Sequence, residues 1–428
     1  MAFSIEAFQN RYLGAGQRRV DGIITVSATG DPAAAARSAP LVLGFIVDRS
    51  GSMSGERLPA AVNAISRAIS LLDERAWMFV VAFDARAELI VAECQATAEN
   101  KARAERLLRT ISAGGGTAMS TGLTLARSVF QRAPDAIRQA VFLTDGKNES
   151  ESSSAVAGVL GRCEGLFQCD CWGVGTDWQV GEVQHIATAL LGKASLIPDP
   201  AGVERAFRAA IEKANAKSLK DVRLRLWTPQ GASVVFVKQV SPALDDLGGR
   251  ARTVSPQIRE FLTGAWSPGE SRDYHVALEV RAGAPGEEML ACRSSLVWLE
   301  PENGAWVEKE DKPATGRIFA SWSDDANLTS RIDAHVAHYT SQGELAGAIQ
   351  QGLDARARGD DAGATHLLGR AVQLAHAAHD AEMTQRLARV VDVVDAGTGT
   401  IRLKRDVQKA AAMDLELESR TTKRAKKS

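Results

Sequence analysis

The chain has 428 residues, of which 45% are apolar and 24% charged, and its 51 Lys plus Arg nearly balance 52 Asp plus Glu for a formal net charge of −1. This composition suits a folded globular protein and excludes extensive disorder, while near-neutrality excludes a global field drawing it to nucleic acid or anionic membrane. The length exceeds what one hydrophobic core organises, so two or three domains are expected.

The opening MAFSIEAFQNRYL carries Glu6 and shows neither a cationic leader nor an apolar stretch of signal-peptide length. No apolar run reaches membrane-spanning length, and the sequence reads as cytoplasmic. Five cysteines, Cys94, Cys163, Cys169, Cys171 and Cys292, are an odd number lying mostly in apolar segments, which points to reduced thiols in core positions. Cys169 and Cys171 are alternate residues of one strand and share a face, but a metal site needs further ligands at matching spacing.

In chain order, residues 1–39 form an N-terminal segment whose stretch RRVDGIITVSAT (18–29) reads as a strand expected to return and pair with later strands. From 40 to 215, short apolar runs alternate with amphipathic stretches, the rhythm of a doubly wound, mostly parallel α/β sheet. LVLGFIV (41–47), WMFVVAF (77–83), AVFLT (140–144) and DCWGVG (170–175) are buried strands. Residues 57–74 place Leu58, Val62, Ile65, Ile69 and Leu72 at helical spacing, and 96–111, 120–132 and 201–214 follow the same period. From 216 to 325, DVRLRLWT, ASVVFVKQV, RDYHVALEV and MLACRSSLVWL alternate without intervening helices, as strands of an antiparallel β-sandwich do. Trp266, Trp298, Trp306 and Trp322 fall here and are expected to pack.

From 326 to 418 the pattern is helical, with breaks expected at Gly343, Gly359 and Gly397 and a last periodic stretch over 381–395. Residues 419–428, with Arg420, Lys423, Arg424, Lys426 and Lys427, are expected to be a disordered basic tail, the one place where nucleic acid has a foothold. His335/His338 and His376/His379 are three apart on helices, but two ligands do not make a zinc site, and neither pair has the H-E-x-x-H pattern. Arg358-Gly359-Asp360 reads as a helix break.

In open parallel sheets ligands bind beyond the carboxyl ends of the strands. Three loops there carry oxygen ligands. DRSGS supplies Asp48, Ser50 and Ser52 in one turn; SAGGGTAMSTGL presents Thr117 behind three glycines; and FLTDGKN places Asp145 just past a buried strand. One carboxylate and two hydroxyls in a tight turn, joined by a hydroxyl and a second carboxylate, form a hard oxygen set suited to Mg²⁺ or Mn²⁺.

This pattern, D-x-S-x-S, a distant Thr in a Gly-rich loop and a T-D-G after an apolar strand, resembles the von Willebrand factor A-type family and its metal-ion-dependent adhesion site over residues 41–212. The resemblance implies that the Ser50 and Ser52 hydroxyls bind the metal directly, that Thr117 joins directly or through water, and that Asp48 and Asp145 act partly through water. A metal held mainly by neutral hydroxyls stays electrophilic, so a Glu or Asp carboxylate on another protein would complete its coordination. The function implied is that of an intracellular adaptor rather than an enzyme. Bacterial A-type domains similar to this one often occur beside motor ATPases, so the resemblance also implies a separate ATPase or a signalling complex as partner.

Two other readings use the same chain. The oxygen cluster also resembles a Mg²⁺-dependent phosphoryl-transfer or hydrolytic site, but Ser50 stands where a second aspartate of D-x-D is needed, and GGGT lacks the Lys-Ser/Thr of a nucleotide-binding loop. Alternatively, the helices of 326–418 pack as a scaffold that binds a partner helix without metal.

Overall fold

The computed structural model describes residues 2–30, 40–198, 202–302 and 305–425. The chain starts with β1 (Ala2–Gln9), the short β2 (Tyr12–Leu13) and β3 (Arg19–Thr29). An α/β unit follows: β4 (Leu41–Asp48), α1 (Arg57–Ser70), β5 (Trp77–Phe83), β6 (Ala87–Gln95), α2 (Ala98–Leu108), α3 (Met119–Phe130), β7 (Ile137–Thr144), α4 (Ser153–Cys163), β8 (Gln168–Val174), α5 (Val180–Ala189), β9 (Ala194–Ile197) and α6 (Gly202–Asn215). Its strands lie in the order β6-β5-β4-β7-β8-β9. All pairings are parallel except that of β6, an antiparallel edge strand that the sequence pattern did not reveal. Strand β4 is apolar up to its final Asp48 because both its faces are covered: Phe45 and Val47 pack with α1 and α6, while Val42 and Ile46 pack with α3.

The second unit is a β-sandwich built from β10 (Leu219–Trp227), β11 (Ala232–Ser241), β12 (Asp245–Asp246), β13 (Ala251–Ser255), β14 (Ile258–Trp266), β15 (Ser271–Val280), β16 (Glu288–Glu302), β17 (Ala305–Asp311) and β18 (Arg317–Trp322). One sheet runs β1-β3-β15-β11-β12 and the other β13-β14-β10-β16-β18-β2, with β17 beside β16. Strand β3 pairs antiparallel with β15, Ile24 opposite Tyr274, so the α/β unit is inserted between strands of one sheet. Trp266, Trp298 and Trp322 are buried in the sandwich core, and Trp306 instead stacks under Lys220, whose Nζ lies 3.6 Å from its ring centre.

The last unit comprises α7 (Ala326–Thr329), α8 (Ala334–Ala357), α9 (Asp361–Ala377), α10 (Ala381–Val390), a hairpin of β19 (Val391–Asp395) and β20 (Thr400–Leu403), and α11 (Lys409–Glu418). No helix among the described residues is long and apolar enough to cross a membrane. Helix α11 joins two cores, because Leu415 packs with α8–α10 while Met413 and Leu417 pack with the α/β unit.

Three expectations are corrected here. Gly343 does not break the chain: α8 runs through it, the exposed glycine costing only about 1 kcal/mol against the burial of Val336, Tyr339 and Ile349 on the same helix. The helix expected over 381–395 stops at Val390, where the β-branched run Val391-Asp392-Val393-Val394 pairs as a strand instead. The tail expected to be disordered is pinned over 419–425. Arg420 Nη2 donates to Leu244 O at 2.9 Å, Thr422 Oγ1 to Val240 O at 2.6 Å, and Lys423 Nζ meets Asp380 Oδ1 at 2.7 Å. Arg424 Nε lies 3.4 Å from Asp273, a buried carboxylate that also accepts from Thr25 and Tyr339. Lys426 and Lys427 lie outside the described residues.

Truncation after Ser419 should therefore lower stability by about 1–3 kcal/mol, since each hydrogen bond lost is worth about 1 kcal/mol net and Asp273 and Asp380 lose cationic partners. Thermal unfolding of the truncated and full chains measures this, and an unchanged midpoint would return the segment to solvent.

Candidate functional site

The sheet grows from β4 toward β5 on one side and toward β7 on the other, and this reversal opens a crevice at their carboxyl ends. Asp48 ends β4 and is completely buried. Its Oδ1 accepts from the Ser50 backbone N–H at 2.8 Å, and its Oδ2 accepts from Thr144 Oγ1, the last residue of β7, at 2.5 Å. The first contact folds DRSGS into a tight turn and the second locks neighbouring strands together. Within the turn, Ser50 is buried, Ser52 is exposed, and their Oγ atoms are 3.0 Å apart.

Asp145 follows β7 and is also completely buried. Its Oδ1 accepts from Ser52 Oγ at 2.7 Å. Thr117 arrives on the third loop, which is held by Gly51 N–H to Gly115 O at 3.0 Å and Gly114 N–H to Arg49 O at 2.8 Å. Gly115 has φ +79°, which favours glycine, and a side chain on Gly116 would displace the Ser150 hydroxyl that accepts from Thr117 N–H at 3.0 Å. The loop after β7 also caps α3, whose own Ala118 offers no capping side chain. Asn148 Oδ1 accepts from Met119 N at 3.2 Å, and Glu151 Oε1 from Ser120 N at 2.8 Å.

The five residues singled out from the sequence thus come together, and Gly146 marks their focus. A Cβ on Gly146 would lie 3.1 Å from Ser52 Oγ, 3.4 Å from Thr117 Oγ1 and 3.9 Å from Ser50 Oγ. Three hydroxyls from two loops therefore face one small cradle, with two buried carboxylates behind them. Hydroxyl oxygens facing a common point, backed by carboxylates, fit a hard divalent cation. Among the described residues no group of three or more His, Cys, Asp or Glu is arranged to hold a metal, and the oxygens that gather here are three hydroxyls and two carboxylates.

Sequence reading missed one member of the cluster, Arg57, the first residue of α1. Its Nη1 donates to Asp145 Oδ2 at 2.5 Å and its Nη2 to Asp177 Oδ2 at 3.1 Å. Each buried aspartate consequently has a different environment. Asp145 has a cation, whereas Asp48 has only hydrogen bonds against full desolvation, and burial pushes its pKa up to about 6. On the far side of the DRSGS turn, Arg49 is held by Asp84 at 3.0 Å and Glu88 at 2.7 Å.

The weaker candidates have structural roles. His335 stacks on Phe8 with ring centres 3.7 Å apart, and His338 contacts Lys423 O at 2.8 Å. Asp360 of the Arg-Gly-Asp triplet caps α9 through Gly363 N–H at 2.8 Å. All five cysteines are buried and unpaired, Cys169 and Cys171 with sulfurs 3.9 Å apart.

Comparison with known proteins gives a consistent result. The sequence profile described as von Willebrand factor type A domain matches residues 43–147, and that described as von Willebrand factor type A C-terminal domain matches residues 373–419. The solved structure of a von Willebrand factor type A protein from Catenulispora acidiphila is 39% identical, with TM-score 0.91 over 99% of this chain and 97% of that one. The ArnB paralog VWA2 from Sulfolobus acidocaldarius superposes with TM-score 0.60 over 98% of both chains at 15% identity, a likeness of fold alone. An uncharacterized protein of Synechocystis sp. is 29% identical over 276 residues, 63% of this chain and 64% of that relative, so the match spans less than two thirds of its length.

The raised Asp48 pKa sets a pH dependence. Because the folded value lies above the ordinary one, the native state binds the extra proton between about pH 4 and 6, and in chelator the protein loses roughly 3 kcal/mol of stability as pH rises through that window. Asp48→Asn should abolish this fall and be the more stable protein at pH 7.5. Denaturant titrations from pH 4 to 7.5 check it, and parallel profiles for the two proteins would refute the assignment.

Proposed function

This chain belongs to the von Willebrand factor type A family, whose domains are generally protein-interaction modules, and from that membership we propose that it is a divalent-metal-dependent adaptor that captures a carboxylate of another protein. Ser50, Ser52 and Thr117 would hold Mg²⁺ or Mn²⁺ through their hydroxyls, with Asp48 and Asp145 supplying the balancing charge. When bound, the metal supplies an electrophile that takes an oxygen of a partner Asp or Glu. The observation that carries this reading is the cradle at Gly146, where the three hydroxyls meet in front of two buried carboxylates.

The chain's own groups support binding over phosphoryl transfer. A nucleophilic carboxylate must reach its substrate, yet Asp48 is completely buried with both oxygens occupied by Ser50 N–H and Thr144 Oγ1. Five buried, unpaired cysteines support action in a reducing compartment, in keeping with a cytoplasmic adaptor.

Calorimetric titration of the full chain with Mn²⁺ and Mg²⁺ tests the site. Gly146→Ala, which places a methyl in the cradle, should weaken Mn²⁺ binding by about tenfold or more while leaving circular dichroism unchanged. Wild-type affinity should also fall about tenfold per pH unit below about pH 6, as a proton competes for Asp48. Mn²⁺ affinity unaffected by both Gly146→Ala and Ser52→Ala would overturn the proposal. Capture of partner proteins that is lost both in EDTA and in Gly146→Ala would support it, and capture indifferent to both would overturn it.

A further inference from the structure

The metal scheme above leaves Arg57 unused, although it is the cation in direct contact with the cluster. Its two acid partners differ sharply. The Asp145 side chain is 0% exposed, Asp177 is 61% exposed, and Arg57 stands between them at 31%. An exposed ion pair contributes only about 0–1 kcal/mol, whereas breaking a buried one costs several. The inner contact therefore fixes the guanidinium in place, and the outer one is readily exchanged for another carboxylate. Arg49, the cation across the turn, offers no such edge, since Asp84 and Glu88 hold it at 19% exposure.

The positions of these contacts matter. Ser52 Oγ and Arg57 Nη1 bind opposite oxygens of the same Asp145 carboxylate. Ser52 Oγ and the guanidinium are thus separated by the Asp145 carboxylate and the two hydrogen bonds it accepts. A planar guanidinium receives carboxylate oxygens directionally, unlike a point charge.

We propose that Arg57 is the second anchor for the partner's carboxylate, taking one oxygen while the metal takes the other, and that Asp177 holds this anchor when no partner is bound. This rests on reading the hydroxyl cluster as a metal site. Two effects of opposite sign follow. Arg57 repels the metal, moderating its affinity, and attracts the incoming anion. A residue that merely propped Asp145 would affect both bindings in the same direction. Asp177 is the chain's own competitor, so its loss favours the incoming carboxylate.

The test uses the full chain loaded with Mn²⁺. Metal affinity is read by electron paramagnetic resonance, and carboxylate binding by the drop in water proton relaxation as acetate displaces water from the bound ion. Arg57→Gln should bind Mn²⁺ about tenfold more tightly and acetate about tenfold more weakly, with Arg57→Lys between it and wild type. Asp177→Asn, a change at an exposed position, should bind acetate about threefold to tenfold more tightly. Wild-type protein that binds no Mn²⁺ would overturn the metal reading and this inference together. Mn²⁺ binding in wild type, with Arg57→Gln weakening both ligands or Asp177→Asn leaving acetate affinity unchanged, would overturn the second anchor alone.

Discussion

The arrangement of the candidate site depends on strand β4 lying between β5 and β7 with its carboxyl end at the point where the sheet changes direction of growth. That placement delivers Asp48 into the crevice and also buries it completely, since helices cover both faces of the strand. A carboxylate without water must satisfy both oxygens from nearby protein groups. The Ser50 N–H and the Thr144 hydroxyl do so, and in doing so they set the turn that carries Ser50 and Ser52 and tie it to the strand that leads into Asp145. The hydroxyl cradle is thus a geometric result of satisfying one buried acid.

The second acid completes the electrostatics. Asp145 is compensated by Arg57, so the pair of buried carboxylates carries one uncompensated negative charge, and the strain of that charge falls on Asp48. Neutral hydroxyls form the front of the cluster. On the proposed reading, such a site would draw in a cation through its buried acids while presenting little negative charge to an approaching anion.

Much of this was legible in the sequence because its signals are local. DRSGS is one turn, the glycines before Thr117 are adjacent to it, and Asp145 ends a continuous apolar run, so each loop announced itself. The parallel strands were visible for the same reason, being buried on both faces. Edge strand β6 was not: residues 87–95 mix Glu88 and Glu93 with apolar neighbours on a half-covered surface, and only pairing with β5 defines them. Arg57 was invisible because an arginine at the start of an amphipathic helix ordinarily reads as solvated, and its partner Asp145 is remote in sequence. The basic residues of 419–425 misled for a related reason. Composition records their charge, but not that the carboxylates of Asp273 and Asp380, remote in sequence, receive them.

The insertion of the α/β unit between β3 and its partner β15 orders events during synthesis. Strands β1 and β3 are made before the α/β unit, yet the strand that pairs with β3 is made only after that whole unit has emerged. Until then the pair carries an unmatched edge and an apolar face that includes Val20, Ile24 and Val26, surfaces prone to the wrong neighbour. Meanwhile the α/β sheet itself lacks Met413 and Leu417 until α11 has been translated. Native packing of both units is therefore closed only by segments made later in the chain.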